Sequence, residues 1–162
     1  MARPITGQMA VAVGVLQVLF RGNVHVYLLH WMELGNWINK RFMGLDISHD
    51  TWHGAYSAFM RWRIEIAKHI GIDLESMEGF GGITKWDDFE SNPLYHLLNH
   101  SDCDGEIDWI YLEAIANELE RILPFLPEGD GGGHIGNWKD KTQIFIDGCR
   151  SAFKVKENLR FS

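Results

Sequence analysis

The side chains best suited to chemistry are concentrated in one short segment, from His100 to Asp108. It combines imidazole, thiol and carboxylate groups, carried by His100, Asp102, Cys103, Asp104, Glu106 and Asp108. Oxygen ligands at alternate positions around a glycine are typical of a calcium-binding loop of the EF-hand type. We therefore treat this segment as the first candidate for a functional site, with calcium as the first candidate ion.

The middle of the calcium motif fits this segment, whereas both ends depart from it. Gly105 takes the glycine position of the loop, which assigns as ligands Asp102, Asp104, the Glu106 carbonyl and Asp108. The first ligand position holds His100 instead of an aspartate, and the last holds Tyr111 instead of a bidentate glutamate. Calcium affinity should be reduced accordingly.

A turn without a metal explains the same residues. In this alternative Asp102 and Asp104 form Asx turns and Gly105 takes a positive φ. Asp108 then caps the following helix. The pattern favours this turn over the calcium site.

Zinc is the second candidate ion, and a divalent ion of either kind in this cluster would allow an enzymatic hypothesis. His96 and His100 are four residues apart, so they could share a helix face. With Asp102 and Asp104 they would surround one ion in a metal-dependent hydrolase acting on a phosphodiester or nucleotide. Cys103 is a weaker candidate for a nucleophile, because neighbouring carboxylates raise a thiol pKa.

A second constellation suggests a pocket for an aromatic ring or base. The candidate lining residues are Trp52, His53, Tyr56, Arg61, Trp86 and Trp109. Indole and phenol rings stack on planar ligands, and an arginine can hold a phosphate. The small residues Gly54, Ala55 and Ala58 support a plainer alternative, in which this stretch is a helix that packs closely on a neighbour.

Charge is distributed unevenly along the 162 residues. Residues 1–42 contain four basic side chains and one acidic side chain, which leaves 11 basic and 21 acidic for residues 43–162, a balance of −10. Such an acidic region repels phosphate backbones, so nucleic-acid binding is not expected. The two cysteines have no metal-binding or disulfide spacing, which is typical of a reducing compartment.

Residues 1–42 differ in character from the rest of the chain. Met9–Phe20 is a continuous apolar run that Arg21 ends well before the roughly 20 residues of a membrane span. We interpret this segment as an appended helix or as the product of an over-long gene start, with Met43 as the natural first residue. Residues 43–162 are then a single globular helical domain.

Periodicity predicts a mainly α fold of three or four packed helices with a minimal two-stranded sheet made by the ends of this domain. The predicted elements are a strand Leu45–Ser48, helices from Asp50 or Thr51 to Gly71, Leu94–Asn99, Asp108 to about Leu123 and Trp138 to about Lys156, and a strand Leu159–Phe161. The polar face of the first long helix, with Arg61, Arg63, Glu65 and Lys68, is expected in solvent.

Several motifs resemble a family of small uncharacterised bacteriophage and prophage proteins. They are Gly-Leu-Asp-Ile-Ser-His from Gly44, Trp-His-Gly-Ala-Tyr-Ser-Ala-Phe from Trp52, and Asn-His-Ser-Asp-Cys-Asp-Gly from Asn99. The resemblance covers residues 43–162. The resemblance implies an accessory protein that acts in the bacterial cytoplasm during infection. It does not imply any particular activity.

The leading hypothesis is a non-enzymatic binding protein for a host protein or a small molecule. A dense surface of aromatic and acidic groups, without a coherent catalytic set, favours it. The metal-dependent hydrolase is the first alternative. The second is a structural or interaction protein that works as an oligomer through its acidic surface.

Overall fold

The structure, a computed structural model, describes residues 44–132 and 134–162. Four helices and four strands follow one another in these residues: β1 (Leu45–Ile47), β2 (Trp52–Gly54), α1 (Tyr56–Lys68), α2 (Tyr95–Leu98), β3 (Gly105–Ile107), α3 (Trp109–Ile122), α4 (Trp138–Val155) and β4 (Leu159–Phe161). Single turns of 3₁₀ helix lie at Leu74–Ser76, Asp87–Phe89 and Leu123–Phe125. Predictions for residues 1–42 lie outside the described part of the chain.

The predicted fold class is wrong. The expected pairing of the two end strands is confirmed, since Ile47 of β1 lies opposite Phe161 of β4. These strands are, however, the inner pair of a four-stranded antiparallel sheet with the order β2-β1-β4-β3. The arrangement is therefore mixed α and β. β2 and β3 were assigned to a helix and a loop because three residues are too few to show strand periodicity.

The start of the first long helix was also predicted too early. Trp52–Gly54 turns back along β1 as the second strand of a hairpin, with Leu45 opposite Gly54. The helix α1 consequently begins at Tyr56, and it ends at Lys68. The apolar spacing that suggested a helix from Thr51 onward holds only after the hairpin is complete.

The two longest helices confirm their predictions closely. The carboxylate of Asp108 accepts a hydrogen bond from the backbone N–H of Ile110, which begins α3 as expected. The amide of Asn158 adds a second cap from the far end of the domain, since its oxygen accepts from the backbone N–H of Trp109 at 3.0 Å. Asn137 caps α4 in the predicted way, accepting from the N–H groups of Lys139 and Asp140.

The core lies between the sheet and the helices and is rich in aromatic rings. Trp62 lies 4.7 Å from Phe145 and 5.6 Å from Phe59, measured between ring centroids. Its indole N–H donates to the hydroxyl of Thr142 at 2.9 Å, so the one polar atom of this ring is satisfied inside the core. Along the described residues every helix is too short or too polar to cross a membrane.

Gly148 lets helix α4 approach the β1–β2 hairpin turn. A Cβ atom at this position would lie 2.2 Å from Oγ1 and 2.8 Å from Cα of Thr51. Thr51 is fully buried and its hydroxyl donates to the Ser48 carbonyl at 2.6 Å, so it cannot turn aside. The absence of a side chain at Gly148 therefore sets the distance between the helix and the hairpin.

We predict that Gly148→Ala destabilises the fold, although alanine is the better helix former by about 1 kcal/mol. The added methyl group collides with Oγ1, Cα and Cβ of Thr51, and such overpacking costs about 1–3 kcal/mol or more. Urea unfolding measures the change. Ser151→Ala, at an exposed position of the same helix, serves as the control and should be neutral or slightly stabilising. Equal effects of the two substitutions would refute the close approach.

Candidate functional site

A buried arginine anchors the loop that the sequence singled out. Arg63 lies on α1 and is only 1% exposed. Its guanidinium carbon is 4.8 Å from the ring centroid of Phe59 and 5.1 Å from that of Phe80. Burial lowers the pKa of Arg63 to about 10, partly opposed by the charge of Asp102. The side chain therefore stays protonated at neutral pH.

The buried guanidinium fastens the loop to the helix. Nη1 of Arg63 donates to the backbone carbonyl of His100 at 2.6 Å, and Nη2 lies 3.8 Å from Oδ2 of Asp102. The expectation that Arg63 faces solvent was wrong, whereas Arg61 and Lys68 are exposed. The spacing carried the signal, because Arg63 is four residues from Phe59 and from Ala67, which are both buried.

The loop itself is closed by Ser101. Its hydroxyl accepts from the backbone N–H of Cys103 at 3.2 Å and donates to Oδ1 of Asp104 at 2.9 Å. Gly105 has a φ of 101°, as expected, and a Cβ there would lie 3.2 Å from the His100 ring. The turn is thus closed by the Ser101 hydroxyl in place of the expected Asx turns.

Each carboxylate predicted as a metal ligand contacts a protein group. Asp102 lies near Arg63, and Asp104 accepts from Ser101. Glu106 places Oε1 3.0 Å from Nε of Arg160 and accepts from Nδ2 of Asn158 with Oε2, while Asp108 caps α3. Within residues 44–132 and 134–162, no three His, Cys, Asp or Glu side chains are grouped so that they could hold a metal. The geometry gives no support to the calcium and zinc predictions, which stay untested.

The two histidines of the proposed hydrolase face different rings. His96 stacks on Tyr111 with a centroid distance of 3.6 Å, and His100 lies 4.1 Å from the Phe161 ring. Burial lowers the pKa of His96, and nearby Asp108 partly offsets this effect. Cys103 is exposed, and its hydrogen bond to Asp102 raises the pKa of its thiol. The thiol is therefore less nucleophilic than an unperturbed cysteine.

The indoles predicted to line an aromatic pocket pack against different partners. Trp52 is buried against Phe59 and Trp62, at 5.0 and 5.5 Å between centroids. Trp86 contacts Phe80 and Tyr95, and Trp109 contacts Phe153. Tyr56 is half-buried and Arg61 is exposed. The structure thus uses these rings to build the core at three separate places.

His53, the remaining residue of that prediction, lies between two carboxylates on the surface of the hairpin. Its Nδ1 is 2.8 Å from Oδ1 of Asp46, and its Nε2 is 3.3 Å from Oδ1 of Asp50. The hydrogen bond to Asp46 raises the pKa of His53, partial burial opposes this, and Asp50 adds to the increase. The protonated imidazole is the form that the two acids stabilise.

A cleft of about 450 Å³ lies elsewhere, where the β1–β2 turn meets the connection from α4 to β4. We call it the turn cleft; it is lined by Ser48, His49, Lys156, Glu157, Asn158 and Arg160. The Ser48 hydroxyl accepts from the backbone N–H of Arg160 at 2.9 Å, and Nε2 of His49 lies 3.1 Å from Oε2 of Glu157. These contacts hold the two sides of the cleft together.

Left-handed backbone is concentrated at the turn cleft. His49, Asp50 and Lys156 have φ values of 59°, 54° and 58°. This conformation costs about 1–2 kcal/mol for a residue with a Cβ, so glycine or asparagine usually occupies it. Two of the three residues line the cleft and the third is adjacent. Strain of this kind is often retained at functional sites.

Comparison with known proteins found no matching family model, no matching curated protein and no matching solved structure. Sequence reasoning did not predict the turn cleft, because its two halves are more than a hundred residues apart. One available signal was Lys156, which follows the last helix at a position where a glycine would be usual.

We predict that Arg63→Ala lowers the free energy of unfolding by about 2–4 kcal/mol, because it removes buried packing and leaves the His100 carbonyl without its donor. Amide hydrogen exchange at residues 100–104 should also accelerate. Arg63→Met keeps most of the volume and should still accelerate exchange in the loop. Arg61→Ala, two residues earlier on the exposed face, is the control and should change stability by less than about 0.5 kcal/mol. Unchanged exchange in both Arg63 variants would contradict the anchor.

A second prediction concerns pH. The pKa of His53 is higher in the folded state than in the unfolded state, so its contribution to stability is fully present below the unfolded pKa. It is lost as pH rises through the folded pKa. Compared with His53→Gln, the native protein should have a larger stability advantage at about pH 5.5 than at about pH 8.5. The side chain is 60% exposed, so we expect a difference of no more than about 0.5 kcal/mol. An NMR titration in which Asp46→Asn left the pKa of His53 unchanged would disprove the assigned cause.

Proposed function

We propose that this protein is a non-enzymatic binding protein that holds a small polar molecule in the turn cleft. The observation that carries the proposal is the cleft itself, whose volume of about 450 Å³ lies in the range of small-molecule sites. Its lining consists of side chains that donate and accept hydrogen bonds. Such a lining fixes the orientation of a polar ligand.

The wall of the cleft is preorganised by hydrogen bonds. Asn158 is held at both ends of its amide, by the backbone N–H of Trp109 and by the carboxylate of Glu106. Ser48 is held by the backbone of Arg160, which also fixes β4 against the hairpin turn. A site that is already ordered loses less entropy on binding, which favours affinity.

The same contacts favour binding over catalysis. The Ser48 hydroxyl is engaged by a backbone N–H, and the imidazole of His49 is paired with Glu157. A serine nucleophile needs a hydrogen bond to its general base, and among the described residues Ser48 and His49 do not form one with each other. Asn158 is likewise held by structural contacts. These contacts of Ser48, His49 and Asn158 therefore support the proposal of a binding site.

The biological setting of the proposal comes from the resemblance to phage and prophage proteins. We propose an accessory protein that acts in the cytoplasm of a bacterial host, on a small molecule or together with a host protein. The two free cysteines, one exposed and one buried, agree with a reducing compartment.

The proposal is tested by NMR with ¹⁵N-labelled protein and a library of polar metabolites of positive, neutral and negative charge. We expect at least one compound to shift the backbone amides of residues 48–50 and 156–160. The shifts should saturate, and the compound should be recovered unchanged. If no compound shifts these amides, the proposal fails.

A turnover assay provides the second arm. Metal-dependent product from nucleotides or phosphodiesters, lost in Asp104→Asn, would replace the binding proposal with the hydrolase. Retention of that activity in Asp104→Asn would point to a contaminating enzyme instead.

A further inference from the structure

The acidic groups at the turn cleft are occupied by protein partners. Glu106, beside the cleft, is close to Arg160 through one oxygen and accepts from Asn158 through the other. Glu157 contributes one oxygen to the contact with His49. Both carboxylates at the cleft thus contact groups of the chain itself.

The donors of Lys156 are less engaged. Its ammonium nitrogen lies 5.6 Å from the ring centroid of Trp109, near the outer limit of a cation–π contact. Among the described residues no carboxylate lies within 4.0 Å of this nitrogen, although nine other Lys, Arg or His side chains form such contacts. The three N–H donors of Lys156 are therefore free to meet a ligand that lies in the cleft.

Arg160 supplies a second set of donors. Its side chain is 74% exposed, and the contact with Glu106 involves Nε. This leaves the two terminal nitrogens, which form the planar fork that matches the oxygens of a phosphate or carboxylate. Lys156 offers a mobile point charge on the same cleft, so the two cations complement each other.

The wider charge distribution makes this pair unusual. Residues 43–162 carry a balance of −10, and a surface of that sign repels anions. Two of its 11 basic side chains nevertheless line one cleft whose only carboxylate, Glu157, is already paired. Cationic side chains with unengaged N–H donors can bind a small anion at short range, whereas large polyanions meet the repulsion of the whole surface.

We infer that the ligand of the turn cleft carries a compact oxyanion group, a phosphate or a carboxylate, and that Lys156 and Arg160 bind this group. The inference rests on the proposed function and narrows it to a ligand class. Asn158 and Ser48 would then face the uncharged part of the same ligand. The two sources of such an oxyanion, a phosphate ester and a carboxylic acid, are separated by the choice of probes.

The test is an NMR titration with inorganic phosphate, with acetate, with succinate and with neutral ribose, all at one ionic strength adjusted with sodium chloride. We expect the amides of residues 48–50 and 156–160 to shift with phosphate, or with the carboxylates, and not with ribose. A preference for phosphate would identify a phosphate ester as the ligand. A preference for succinate or acetate would identify a carboxylic acid.

Lys156→Asn is the decisive variant. Asparagine tolerates the left-handed backbone at this position, so the fold is retained while the charge is removed. We expect anion binding to weaken about tenfold, the usual effect of losing one charge-assisted hydrogen bond. Arg160→Gln should weaken it similarly.

The matched control is Arg121→Gln, at the opposite end of α3. Arg121 is 12 residues from Trp109 and therefore about 18 Å along the helix axis. The Arg121→Gln substitution changes the net charge by the same amount as Lys156→Asn. It should leave anion binding within about twofold of the native value. Equal weakening in Arg121→Gln and Lys156→Asn would overturn the inference, because only the net charge would then matter.

The outcomes also separate this inference from the proposed function. Cleft shifts caused by ribose or by another neutral member of the metabolite library, without shifts from the anions, would uphold a binding protein and reject the oxyanion. Absence of cleft shifts with every probe and every library member would reject both. Anion binding that persists unchanged in Lys156→Asn and in Arg160→Gln would reject the assigned residues.

Discussion

The charge of Arg63, buried between two phenyl rings, is the interaction on which the middle of this domain depends. Removing a guanidinium from water is costly, and the cost is recovered only when its donors and its faces find partners. Here the rings of Phe59 and Phe80 cover the faces, and the His100 carbonyl and Asp102 receive the charge. The Nε–H of Arg63 finds no acceptor among the described residues, so this arrangement is not the most stable one possible. Its main consequence is to hold the loop after α2 in one position, which fixes where β3 begins.

The position of β3 then determines the far side of the molecule. β3 pairs with β4, and Glu106 of β3 contacts both Asn158 and Arg160. Asn158 in turn caps the first residue of α3. A chain of polar contacts therefore runs from the buried arginine, through the loop and the sheet, to the turn cleft. Gly148 fixes the other boundary, because it allows the hairpin turn to lie directly on α4.

Local signals predicted the two longest helices well, whereas pairing between distant residues determined the sheet. Asn137 and Asp108 could be identified as caps because their effect lies within the next three residues. The strand Gly105–Ile107 could not be identified, because it exists only through its pairing with Leu159–Phe161. Arg63 was misplaced for a different reason: its charge was given more weight than its spacing. The turn cleft joins residues from both ends of the domain, so no local pattern could reveal it.

The two polar regions of the domain differ in how many of their hydrogen-bonding groups already contact protein partners. The region with unengaged donors is better suited to a ligand. In the loop from His100 to Asp108, Ser101 closes the turn and the carboxylates contact donors of the protein. A cation that bound there would have to displace these contacts. At the turn cleft the carboxylates are also occupied, but Lys156 and the outer nitrogens of Arg160 keep donors for a ligand. Lys156 holds its position in a backbone conformation that glycine would adopt at lower cost. That conformation ends α4, since the backbone N–H of Lys156 donates to the carbonyls of Ala152 and Phe153, while its ammonium group keeps its donors.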